Sequence, residues 1–157
     1  MKRLRSAAGL SALAAATVAA GVAAAGTLVP LKATDSGSAT VIAAAGSVIE
    51  TADTATGTGT QIGQYTMVAG EHINLESGAI TDGYFTITAA NGDTLTGTYS
   101  GRALDGLTGY DVAGPITGGT GRFADASGTI VFNGKVDPTA LTFSDVVTGT
   151  ISTVGSR

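Results

Sequence analysis

Thr86-Ile87-Thr88-Ala89-Ala90-Asn91-Gly92-Asp93-Thr94-Leu95-Thr96-Gly97-Thr98-Tyr99-Ser100 reads as two extended runs around an Asn-Gly turn. Asn-Gly supplies the positive φ angles that a tight hairpin needs. On the second arm Leu95 and Tyr99 share one face, while Thr94, Thr96, Thr98 and Ser100 share the other. A period of two with one apolar and one threonine-rich side is the pattern of a strand buried on one face and wet on the other. Threonine suits the wet side because its branched side chain favours extended backbone.

The same pattern extends in both directions. Strands are predicted near 61–75, 79–90, 93–102, 109–117, 128–136 and 141–152, separated by turn residues every ten or so positions. Ile130, Phe132 and Val136 face one way in the fifth run. Leu141, Phe143, Val147 and Ile151 do so in the sixth. Ser77-Gly78, Asp105-Gly106 and Asp137-Pro138 mark turns between runs. No segment carries a sustained 3.6-residue apolar stripe, so little or no helix is expected. A segment at 38–50 and a short stretch around Phe123 bring the count to about eight. The predicted fold is therefore all-β, a small antiparallel β-barrel of about eight strands, with a β-sandwich as the alternative. Closure removes the exposed edges that endanger a sheet.

Upstream of residue 61 the text changes. Residues 1–25 read as a signal peptide: Lys2, Arg3 and Arg5 precede an alanine-rich apolar stretch that ends in Ala23-Ala24-Ala25, and a cut as late as Ala33 also fits. Residues 26–60 are rich in alanine, threonine and glycine. One strand is expected there, with Thr54 to Thr60 as linker or loop. The barrel body is placed at 61–157. Without the leader, five basic residues stand against twelve acidic ones, leaving a net charge of −7. That balance disfavours nucleic acid and gives no basic cluster for an anionic membrane. The chain has no cysteine and a single histidine, His72, which excludes thiolate chemistry and multi-histidine metal sites. A secreted location is expected, with no stable membrane insertion after cleavage.

The sharpest local motif runs from Gly118 to Gly128: Gly118-Gly119-Thr120-Gly121-Arg122-Phe123-Ala124-Asp125-Ala126-Ser127-Gly128. No helix follows to make it a phosphate cradle. It reads as a structural glycine turn (Gly118, Gly119, Gly121) with Phe123 anchoring the return into the core. Together with the 86–100 hairpin and the 128–135 strand, this stretch resembles the dirigent proteins and the allene oxide cyclases with their bacterial relatives, over roughly residues 60 to 152. The resemblance implies an eight-stranded antiparallel barrel, often a homotrimer, with a central pocket and no cofactor. It also implies a function: cyclisation or isomerisation of a reactive small apolar molecule, or stereochemical steering of one. The alternative is a non-catalytic exported barrel that binds a small ligand or serves a structural role.

Candidate site residues come from strand parity. Asp145 shares the parity of Leu141, Phe143 and Val147, and Glu71 that of Tyr65, Met67 and Ile73. A carboxyl group on an apolar face has a raised pKa and can act as general acid or base, so both are catalytic candidates. A bulge that shifts parity, or pairing with an arginine such as Arg102, would instead make either residue structural. Tyr65, Tyr99 and Arg102 are the candidate substrate-binding residues, and no metal site is expected.

Overall fold

The structure is a computed structural model, which describes residues 26–152. Residues 1–25, read above as a signal peptide, and the last five residues lie outside the described residues. Eight strands follow one another around a closed barrel: β1 (Leu28–Ala45), β2 (Val48–Gly59), β3 (Gly63–Asn74), β4 (Ala79–Ala89), β5 (Thr94–Leu104), β6 (Gly109–Gly119), β7 (Gly128–Asp137) and β8 (Thr142–Ser152). Every neighbouring pair is antiparallel, and β1 closes onto β8 from Leu28↔Ser152 to Ser38↔Thr142.

Six of the eight strands fall where alternation places them. The other two correct the sequence reading. Residues 26–60 contribute two strands, not one, and the barrel body starts at Leu28 rather than near residue 61. The Thr-Gly-Thr-Gly stretch expected to be a linker is the second half of β2, pairing with both β1 and β3. The stretch around Phe123 is no strand but a single 3-10 turn, Gly121–Phe123. The Asn91-Gly92 hairpin also differs in detail. Only Gly92 has positive φ (+88°), and the amide of Gly92 donates to the Ala89 carbonyl at 2.8 Å. This is a type I turn followed by a left-handed glycine, the three-residue form of the hairpin.

Bulges set which side chains face inward. At β4 an extra residue at Thr81–Asp82 shifts the register against both β3 and β5. Asp82 there takes φ +56°. Ile80 and Phe85 can thus both be buried although their parities differ. The bulge belongs to β4, so β3 keeps its alternation through Glu71.

The two barrel ends differ. One end is sealed. The 120–127 loop folds over it and inserts Phe123 and Ala126 beside Ile62, Leu95 and Ile151, all buried. Arg122 fastens this cap: its guanidinium donates to the Ile62 carbonyl at 2.7 Å and lies 4.6 Å from the centre of the Phe123 ring. Gly121 needs its left-handed backbone (φ +54°), and a side chain there would strike Asp93. The glycine motif is accordingly a structural turn that lets the cap fold over the barrel end. The opposite end, carrying the turns at 46–47, 75–78, 105–108 and 138–141, opens into a cavity lined by Val41, Leu75, Leu107 and Leu141. Phe123→Ala should therefore lower stability by about 3–5 kcal/mol, as for other large core truncations. Arg102→Ala, on the exposed outer wall, should stay within about 0.5 kcal/mol. Urea denaturation of the two variants checks this.

Candidate functional site

An eight-stranded barrel leaves an interior that side chains just fill. Here the sealed half is packed and the open half is not. In the middle, Phe85 meets Phe132 edge-on at 5.7 Å between ring centres, and Tyr99 lies 5.9 Å from Phe132. From there a cavity of about 200 Å³ runs to the open end. Its walls are apolar, from Met67, Ile73, Ile80, Val112 and Phe143 among others, and its acidic groups are Asp53, Glu71 and Asp145.

Glu71 and Asp145, together with Asp35 deeper in the barrel, are held by one device used three times. A tyrosine stands directly across the ladder from a glycine, lies over it, and donates its hydroxyl to a carboxylate on the strand beyond. Tyr65 crosses Gly57 to Asp35 at 2.6 Å. Tyr99 crosses Gly83 to Glu71 at 2.6 Å. Tyr110 crosses Gly134 to Asp145 at 2.7 Å. A Cβ at any of these three glycines would fall against the tyrosine ring. The narrow interior therefore needs glycine at these sites for space, as when an aromatic ring covers a strand glycine.

The carboxyl groups lie on four adjacent strands, β8, β1, β2 and β3. Asp35 and Asp145 are directly paired across the β1–β8 seam. Asp53 sits diagonally from Glu71, whose direct partner on β2 is Thr51. Asp35, Asp53 and Asp145 are 6%, 7% and 4% exposed. Apart from a proton shared with a neighbouring carboxyl group, one oxygen of Asp35 and one of Asp53 have no hydrogen-bond donor. Among the described residues, no lysine, arginine or histidine lines the cavity.

Burial without a counter-charge disfavours ionisation. Desolvation, reinforced by the negative charge of Glu71, pushes Asp53 up to about 8. Asp145 is pushed up to about 7, mainly by burial, with the Tyr110 hydroxyl opposing and the Asp35 charge adding. Burial also raises Asp35, against the hydrogen bonds from Tyr65 and Asp145. The three tyrosine hydroxyls are driven upward by burial and the neighbouring carboxylates, so they remain donors. Asp35 and Asp145, paired across the seam, hence share a proton, a behaviour that belongs to the pair rather than to one residue.

Of the residues singled out from sequence, Glu71, Asp145 and Tyr99 come together at the cavity. Tyr65 is inside the barrel but not on the cavity wall; it serves Asp35 instead. Arg102 corrects its prediction. It points outward opposite Asp111 and is exposed, because Gly101 and Ala103 take the neighbouring parity. It neither binds a guest in the cavity nor pairs with an internal carboxylate. Tyr84 is also outside, 49% exposed. Asp35 and Asp53 were missed because they lie in the 26–60 segment on either side of the one strand expected there, at 38–50, so no parity was read for them. The signal was present: Thr51, Asp53, Ala55, Gly57 and Gly59 alternate without a break. Among the described residues, no group of three or more metal-ligating side chains is placed to hold an ion.

The fold and site define a closed antiparallel barrel with an acid-floored pocket. No protein-family model, curated protein or solved structure matches the chain.

The acid pairs make stability depend on pH. Between the ordinary carboxyl value of 3.8 and about 7 to 8, the folded chain keeps protons on Asp53 and Asp145 that the unfolded chain releases. The unfolded state then binds fewer protons, so stability falls as pH rises. The melting temperature should be highest near pH 4 and decline to about pH 8, and Asp53→Asn should flatten the slope. Thermal melts across this range test it, and a profile that climbs from acid to neutral would contradict the assignment.

Proposed function

We propose that the protein is an exported pocket barrel of the allene oxide cyclase and dirigent type, which binds a small apolar molecule and isomerises or cyclises it without a cofactor. The observation that carries this reading is the proton-sharing acid floor facing an apolar cavity. Carboxyl groups with pKa values near the working pH are suited to acid–base catalysis. The eight-stranded barrel and the glycine lid are consistent with the resemblance. Export rests on the basic-then-apolar leader. A cut after Ala25 is favoured over one after Ala33, because the later cut would remove Leu28–Ala33, which pairs with β8 and buries Leu31.

The chemistry balances within the guest. The neutral carboxyl of Asp145 gives its proton to a polar atom of the guest, and Glu71, held by the Tyr99 hydroxyl, takes one from a neighbouring carbon. The guest leaves with the same atoms and charge. The proton then returns to Asp145 across the acid layer. Tyr99 and Tyr110 hold these carboxylates in place, and the apolar wall excludes water from a reactive intermediate.

Mass measurement under native conditions, on protein purified from its own secretion, should reveal a bound small molecule that is released on denaturation. Asp145→Asn should retain that molecule while slowing its conversion by about 10²-fold or more, and Glu71→Gln should slow conversion at saturating guest by a similar factor. Unchanged conversion in both variants would remove the acid pair from the mechanism. Binding without any conversion would assign the barrel to ligand carriage.

A further inference from the structure

The hydrogen-bonding balance of the pocket floor is lopsided, and this bears on what the guest must carry. The inference rests on reading the open end as a guest pocket. Three phenols enter the interior, and each is committed to one carboxylate: Tyr65 to Asp35, Tyr99 to Glu71 and Tyr110 to Asp145. The fourth carboxyl group, Asp53, has no phenol. Apart from the proton it holds toward Glu71, its only donor is the Thr51 hydroxyl at a long 3.4 Å. Its second oxygen is without a partner although the residue is only 7% exposed and lines the cavity. Among the described residues, no cationic side chain lines the cavity to balance it. A buried acceptor left unmade is costly, more so when it is charged.

We propose that the guest carries a primary amine on a small, largely apolar body, seated with its ammonium group against Asp53 and Glu71, the polar atom that Asp145 protonates elsewhere on the guest, and its hydrocarbon part toward Leu107 and Leu141. An ammonium has three donors and no acceptor. It therefore supplies both things that the floor lacks, a donor for Asp53 and a positive charge among carboxylates. The Tyr99 and Phe132 rings beside the floor add the attraction of an aromatic face for a cation. An alcohol brings one donor and no charge. A carboxylate brings only acceptors and a like charge, and the floor rejects it. Size is set by the cavity: about 200 Å³ accepts one ring with a short arm, since a smaller apolar cavity of roughly 150 Å³ already holds benzene.

Benzylamine, benzyl alcohol and benzoate share one ring and differ in the head group, so calorimetric titration of the purified protein with each isolates it. Benzylamine should bind about tenfold or more tighter than benzyl alcohol, the ratio expected of a charged hydrogen bond, and benzoate should not bind. Asp53→Asn should weaken benzylamine by about tenfold or more while leaving benzyl alcohol within about twofold. Glu71→Gln should show the same selective loss, and serves where Asp53→Asn does not fold. Benzyl alcohol binding as tightly as benzylamine, or an unchanged benzylamine affinity in the variants, overturns the amine assignment and leaves the pocket intact. Failure of all three probes to bind overturns the pocket reading together with it.

Discussion

The β1–β8 seam turns eight strands into a container. From Leu28↔Ser152 to Ser38↔Thr142 it joins the two ends of the sheet, so no strand in the barrel is left with an open edge. Closure has a second consequence: every inward side chain must share a space only a few side chains wide. At the middle of the seam Asp35 faces Asp145 directly. Two carboxyl groups are thus pressed together by the same hydrogen bonds that complete the fold. They coexist because one proton between them is cheaper than two buried charges.

The narrow interior also explains the tyrosine–glycine pairs. A phenol long enough to reach across a strand needs that strand's inward position empty, and glycine empties it at Gly57, Gly83 and Gly134. Each tyrosine then satisfies a carboxylate that would otherwise be buried without a donor. Geometry and electrostatics are coupled here: the glycines admit the rings, the rings hold the acids, and the acids stay partly protonated because nothing cationic reaches them.

Asymmetry between the ends makes the barrel a pocket rather than a plug. The sealed half is filled by Phe123, Ile62, Leu95 and their neighbours under a lid pinned by Arg122. The open half is walled by aliphatic side chains and floored by Asp53, Glu71 and Asp145. The polar groups lie at the boundary between the packed and hollow halves, where a guest entering from the mouth would first meet them.

Period-two patterning alone determined the class of fold, six strands and the inward parity of Asp145, because alternation is a local property that a half-buried strand imposes on its own residues. It also placed Glu71 correctly, since the nearby bulge is carried by β4 and not by β3. Only the tertiary structure decided the rest. The Thr-Gly run of β2 looks like linker because its inward residues are small: Gly57 makes room for Tyr65 and Gly59 lies against Ala33, both partners on other strands. Arg102 is the converse case: it shares the outward parity of Thr94, Thr96, Thr98 and Ser100 on its own strand, and the register opposite Ala79 and Asp111 follows that parity. Four carboxyl groups converge from residues 35, 53, 71 and 145, and it is the closing of β1 on β8 that brings the first and last of them together.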